Sequence, residues 1–200
     1  MDEAFHRANF YVSLHVLLKS YAEKTEPPHE IKAFFEGMGV ELASVNEVSS
    51  EYLADVSASD LRKDLPFMAR QHLPSHIKSF IEQSGYTPPG SPEKLLNMTA
   101  YAARLAIDAY NEHLRGQHAY HYEKILLRFL HTHLLPALQN LNTADENLNK
   151  IIAQLVRLLQ LDRAKLFARF LPGKRDCPSS HNQMDIGMRK RASNFAEEIL

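Results

Sequence analysis

The stretch from Tyr120 to Leu138 constrains this chain more than any other. Ile125, Phe129, His133 and Ala137 recur at fourfold spacing, and Leu126, Leu130, Leu134 and Leu138 form a second row beside them. Two adjacent rows make an apolar face wide enough to pack against several helices at once. The spacing predicts one long helix at the centre of an all-α core. The stretch itself carries no obvious chemistry.

The rest of the sequence points the same way. Glycine is scarce, with seven in 200 residues, and β-branched alternation is almost absent. Hydrophobic residues make up 44% of the chain, enough for one domain with a sizeable core. The expected architecture is an all-α, single-domain bundle of about seven to nine helices over residues 1–171. Residues 172–200 are expected to be a mobile tail, because Lys174 to Asn182 is polar and rich in breakers. Met188 to Leu200 could form a short terminal helix.

In chain order, a first helix is expected from Asp2 to Glu23. Phe5, Ala8, Val12, His15, Val16 and Lys19 outline a mixed face, broadened by Phe10, Leu14, Leu17, Leu18 and Tyr21. Glu26-Pro27-Pro28 ends it, since a residue before proline avoids the helical region. A short helix over His29 to Glu36 closes at Gly37 and Gly39. Ser44 to Glu47 has the capping-box pattern. Ser57 offers another start, with a helix to His72 and a new one opening at Pro74 and closing at Gly85. Gly85 to Pro92 is the clearest loop. Ser91, Pro92 and Glu93 are expected to start the next helix, with Leu95, Met98, Ala102, Leu105 and Ala109 inward and a stop at Gly116. Thr143 to Glu146 reads as a further capping box, opening a last long helix to Leu171.

Several function classes are disfavoured. A net charge of −1 lacks the Lys and Arg excess of a polyanion binder. The single cysteine, Cys177, excludes an internal disulfide and fits a reducing compartment. The acidic start, Met1-Asp2-Glu3-Ala4, differs from a basic secretory signal, and no apolar run reaches the roughly 20 residues a membrane span needs. A cytoplasmic protein is expected.

Catalytic and metal-binding patterns are sparse. There is no Gly-rich phosphate loop, Cys-x-x-Cys or His-Glu-x-x-His. His118 and His121 could share a helix face, whereas His131 and His133 diverge. Solvated or capped histidines are the simpler reading, with His133 a hydrogen-bonded core residue. Cys177 near Lys174 and Arg175 reads as a free tail thiol, because no base is fixed beside it. Glu112-His113 and Tyr122-Glu123 read as exposed helix charges, and Arg189-Lys190-Arg191 as a solvated basic face. The expectation is no catalysis, no cofactor and no metal.

The order of features in the second half resembles the TorD/DmsD/NarJ family of molybdoenzyme maturation chaperones. Gly85-Tyr86-Thr87-Pro88 resembles the Gly-aromatic segment before the family's central motif. Leu95 to Leu105 resembles the helix after it. His133-Leu134-Leu135-Pro136 resembles the family's helix ending in His-x-x-Pro-Trp, with Ala137 in place of the Trp. The central Glu-Pro-x-Asp-His loop falls on Ser91-Pro92-Glu93-Lys94-Leu95, which keeps Pro92 and carries Glu93 as a shifted acid. The match runs from Gly85 to Phe170; Tyr52 stands roughly where the family has an aromatic residue.

The resemblance implies an all-helical, non-enzymatic chaperone. It would bind the twin-arginine leader of a molybdenum-containing oxidoreductase precursor in the cytoplasm until cofactor insertion is complete. A groove with an apolar floor and an acidic rim would suit such a peptide. Tyr86, Tyr101 and Leu105 are the expected floor, and Glu93, Asp108 and Glu112 the expected rim. The alternatives are a metal- or haem-binding helical enzyme built on His118, His121 and Glu123, and a regulatory protein that presents a helix face to a partner.

Overall fold

The computed structural model describes residues 3–117 and 119–171. Its element order is α1 (Glu3–Ala22), α2 (His29–Gly37), two 3-10 turns (Val45–Glu47 and Glu51–Ala54), α3 (Ala58–Leu61), α4 (Phe67–Gln83), α5 (Leu95–Leu114), α6 (Tyr120–Phe129), a π-helical stretch (Leu130–Leu134), α7 (Leu135–Gln139) and α8 (Glu146–Phe170). The fold is an all-α helical bundle, as the periodicity predicts. No strand occurs among the described residues, only an isolated bridge between Ser57 and Lys94. The expected tail, with Cys177 and Arg189 to Arg191, lies outside the described residues, as does His118.

The core is one cluster drawing on every long helix. α1 lies along α5, and α6 packs on α5 in turn; α8 lies against α6 and α7. α1 is buried nearly all round, as its composition predicts. Phe10, Leu14, Leu17, Leu18 and Tyr21 are buried, while Phe5 and Lys19 are exposed. On α5 the inward row is the expected one, since Leu95, Met98, Ala102, Leu105 and Ala109 are all buried. Gly85 and Gly116 take positive φ of 84° and 69° and close α4 and α5, with Tyr86 N–H returning to Ile81 O and Gln117 N–H to Glu112 O.

The long central helix is continuous from Tyr120 to Gln139 but is not uniform. Five residues, Leu130–Leu134, widen into a π turn, where Leu135 N–H reaches Leu130 O. The cause is Pro136, which lacks an N–H and would press its ring on the carbonyl four residues back. That carbonyl, Thr132 O, instead accepts from Arg62 Nη1 at 3.4 Å. The row Leu126, Leu130, Leu134 and Leu138 is fully buried.

Four expected boundaries move. The helix from Ser57 ends at Leu61, and a single helix runs from Phe67 to Gln83 with Pro74 inside it. Pro66 stands just before that helix, with an extended ψ of 149°, and sets its start. Pro74 frees the carbonyl of Arg70, and Ser59 Oγ donates to it at 3.1 Å. Ser91 does not cap α5; Ser91 to Lys94 form a turn, closed by Lys94 N–H to Ser91 O at 3.1 Å, and the helix starts at Leu95. Finally, the cap of α8 is Asp145, which accepts from Leu148 N–H at 2.9 Å. Thr143 supports it by accepting from Asp145 N–H at 3.1 Å.

Candidate functional site

The predicted groove residues are only partly brought together. Tyr86 and Tyr101 meet edge to face with ring centroids 5.4 Å apart. Tyr86 Oη donates to Asp108 Oδ2 at 2.5 Å, and burial and this carboxylate together push the phenol pKa upward. Arg104 Nε donates to the same oxygen at 2.9 Å. Asp108 therefore anchors the Gly85-Tyr86 loop to α5. Leu105 is wholly buried and Tyr101 nearly so, so neither presents its surface as the apolar floor of a groove. Their apolar surface is spent on the core, where Tyr101 meets Phe129 edge to face with ring centroids 4.8 Å apart. Glu112 pairs with Arg115 at 3.0 Å. Glu93 lies at the far end of α5, where its carbonyl accepts from Ala58 N–H at 2.8 Å, and Pro92 is buried in that turn.

His133 sits inside the aromatic cluster, with Phe80 at 5.5 Å and Phe129 at 5.6 Å between ring centroids. It is not the hydrogen-bonded core histidine expected: its buried Nδ1 has no partner. Burial, with Arg62 and His76 nearby, pulls its pKa down to about 4. Pro136 is half-buried and sets the π turn.

Two concave regions stand out instead. The first is an open cleft of about 690 Å3 between the Tyr52 and Ser59-to-Arg70 segments and the Asn142–Asp145 turn. Tyr52 is 44% exposed, and beyond it Phe67 and Met68 are 63% and 61% exposed. Arg70 links cleft and patch, since it lines the cleft and lies 6.0 Å over the Phe67 ring. The charge is balanced, with Asp60 and Asp145 against Lys63 and Arg70. Asp145 is held below the usual carboxylate range by the amides of Leu148 and Ser49.

The second is a buried charge network where the start of α1, the start of α6 and the end of α8 converge. Arg7 is 4% exposed and Glu123 1%. Arg7 Nη1 donates to Glu123 Oε1 at 3.2 Å, Arg7 Nε to Asp162 Oδ1 at 3.0 Å, and Arg7 Nη2 to Glu3 Oε1 at 3.0 Å. Arg169 Nη1 adds a 2.7 Å bond to Glu123 Oε1, and Tyr11 Oη one of 3.0 Å to Asp162. Burial opposes the Arg7 charge, but Asp162, Glu123 and Glu3 outweigh it and raise its pKa. Burial raises the pKa of Glu123 in spite of Arg169 and Arg7. Glu123 is thus not the exposed helix charge expected. The readable signal was its place on the stripe of Leu126, Leu127 and Leu130, three, four and seven residues on.

The metal and haem alternative loses its carboxylate to this network, and His121 faces solvent. Among the described residues no group of three or more His, Cys, Asp or Glu side chains is placed to hold a metal ion. No helix among them is long and apolar enough to cross a membrane. Compared with protein-family models and with curated proteins, the chain matches none.

Proposed function

We propose that this chain is a non-enzymatic, cytoplasmic binding protein. It holds the leader segment of a molybdenum-containing oxidoreductase precursor during cofactor insertion, as its resemblance to the TorD/DmsD/NarJ family implies. One observation supports a peptide over a small substrate. Three large apolar side chains, Tyr52, Phe67 and Met68, are exposed beside an open cleft of about 690 Å3. Exposed apolar patches of this kind are typical of binding surfaces. The apolar stretch of a leader would lie across Phe67 and Met68, and its basic residues would meet Asp60 and Asp145. Because Lys63 and Arg70 offset those acids, most of the affinity comes from apolar burial and the acids contribute register.

The test is calorimetric titration with the leader peptide of a molybdenum-containing oxidoreductase encoded beside this gene. Binding is expected near micromolar, about −8 kcal/mol. The double variant Phe67→Ser, Met68→Ser should lose it. Asp108→Lys with Glu112→Lys should retain it, because neither acid lines this cleft. Absence of binding by the wild type at about 100 μM peptide would defeat the chaperone reading.

A further inference from the structure

The charged side chains of the open cleft are Asp60, Lys63, Arg70 and Asp145. Their charges sum to zero, so selectivity here depends on which of them are already engaged. Both acids are. Asp60 closes the capping box of α3, its Oδ2 accepting from Ser57 N–H at 3.1 Å and from Ser57 Oγ at 2.6 Å. Asp145 caps α8, accepting from Leu148 N–H at 2.9 Å and from Ser49 N–H at 2.6 Å. Asp64, just before α4, is held by Arg62 at 2.9 Å.

The cations are not. Among the described residues no carboxylate or carbonyl accepts from the Arg70 guanidinium or from Lys63 Nζ. Arg70 Nε is buried without a partner, while its two Nη groups stay open to solvent. The guanidinium lies 6.0 Å over the exposed Phe67 ring, at the junction of cleft and patch. A ring below a guanidinium occupies its face and leaves its N–H edge free to donate.

This bears on the peptide reading and rests on it. A segment with only apolar and basic residues would cover Phe67 and Met68 and answer the acids. It would also exclude water from the Arg70 edge and supply no acceptor, which is costly. A carboxylate supplies two oxygens to the paired Nη groups. From the unpaired guanidinium, the engaged acids and the adjoining apolar patch, we infer that the segment held here carries an Asp or Glu beside its apolar stretch. Arg70 binds that carboxylate. Consecutive Cα atoms are about 3.8 Å apart, so the 6.0 Å from guanidinium to ring places the acid one or two residues from the side chain that covers Phe67.

The experiment is calorimetric titration of the full chain, in about 50 mM salt, with three blocked peptides. They share two arginines and a short apolar stretch, and differ at one position beside it: Glu, Gln or Lys. Wild type should bind the Glu peptide about three- to tenfold more tightly than the Gln peptide, and the Lys peptide least. Arg70→Met keeps an apolar stem over Phe67 and should erase the preference. Arg70→Glu should reverse it toward the Lys peptide. The wild-type comparison stands even if a variant fails to fold. Equal binding of the Glu and Gln peptides overturns this inference and leaves the peptide reading in place. A preference kept in Arg70→Met overturns it as well. No binding of any of the three overturns both readings. So does a dimer, seen by sedimentation, that buries the patch and that the peptides do not disperse.

Discussion

Acid should destabilise this protein through His133. The imidazole is packed between Phe80 and Phe129, and its Nδ1 is buried without a partner. Protonation there places a charge in an aromatic cluster near Arg62 and His76, so the folded pKa falls to about 4 from 6.5. The folded value lies below the unfolded one, so the unfolded chain binds the extra proton first. This contribution is complete above about pH 6.5 and is lost as pH falls toward about 4. The shift corresponds to about 3 kcal/mol in full, with about 2 kcal/mol already lost at about pH 5. Carboxylates also titrate in acid, so the comparison must isolate the histidine. His133→Phe keeps the ring packing and removes the titrating group. Urea unfolding between pH 7 and pH 5 should show wild type losing about 2 kcal/mol more than the variant. Parallel pH profiles for the two proteins, or a His133 ring resonance titrating near 6.5 in the native state, would refute the reasoning.

Three further outcomes follow from packing and polar satisfaction. Phe129→Ala should cost about 3–5 kcal/mol by denaturant unfolding, since the ring is fully buried against Tyr101, Phe80 and His133; a loss below about 1 kcal/mol would make the central helix peripheral. Arg7→Met should cost about 3–5 kcal/mol, because it strands Glu123 and Asp162, and adding Glu123→Leu should recover part of that loss. Ser59→Ala should cost about 0.5–1.5 kcal/mol, because it removes the part-buried donor to the Arg70 carbonyl. In a Pro74→Ala background, where the helix regains its own N–H, the same change should cost much less, as a double-mutant cycle would show.

The sequence makes the helices and their inward rows legible because both follow from side-chain spacing. Leu95, Met98, Ala102, Leu105 and Ala109 are read correctly from periodicity alone. Glycine caps are legible too, since Gly85 and Gly116 sit where positive φ is needed. Periodicity cannot say which of two prolines breaks a helix. Pro74 looks like a start but is carried inside α4, because Ser59, fifteen residues earlier, takes over its orphaned carbonyl. Nor can spacing tell a buried charge from an exposed one when its partners are distant: Glu123 and Asp162 find Arg7 across 116 and 155 residues. The expected groove failed for a related reason. Tyr101 and Leu105 share an apolar stripe with Met98, and a stripe that feeds the core leaves no floor for a ligand.

The short segment from Ser57 to Arg62 connects these observations. Each of two long helices contains a proline and so releases one carbonyl, Arg70 O in α4 and Thr132 O in the π turn. Ser59 Oγ takes the first at 3.1 Å and Arg62 Nη1 the second at 3.4 Å. Arg62 is itself held by Asp64 at 2.9 Å. α3 is only four residues long, too short to be stable on its own helical propensity. Its position is fixed instead by the capping box of Ser57 and Asp60 and by the carbonyls it satisfies. Ser59, Asp60 and Lys63 then form one wall of the open cleft, and Arg70 joins them. The cleft therefore owes its shape to polar groups that prolines left unmet. A change at Pro74 or Pro136 would reach the cleft without touching it, by removing the reason for α3 to stay where it is.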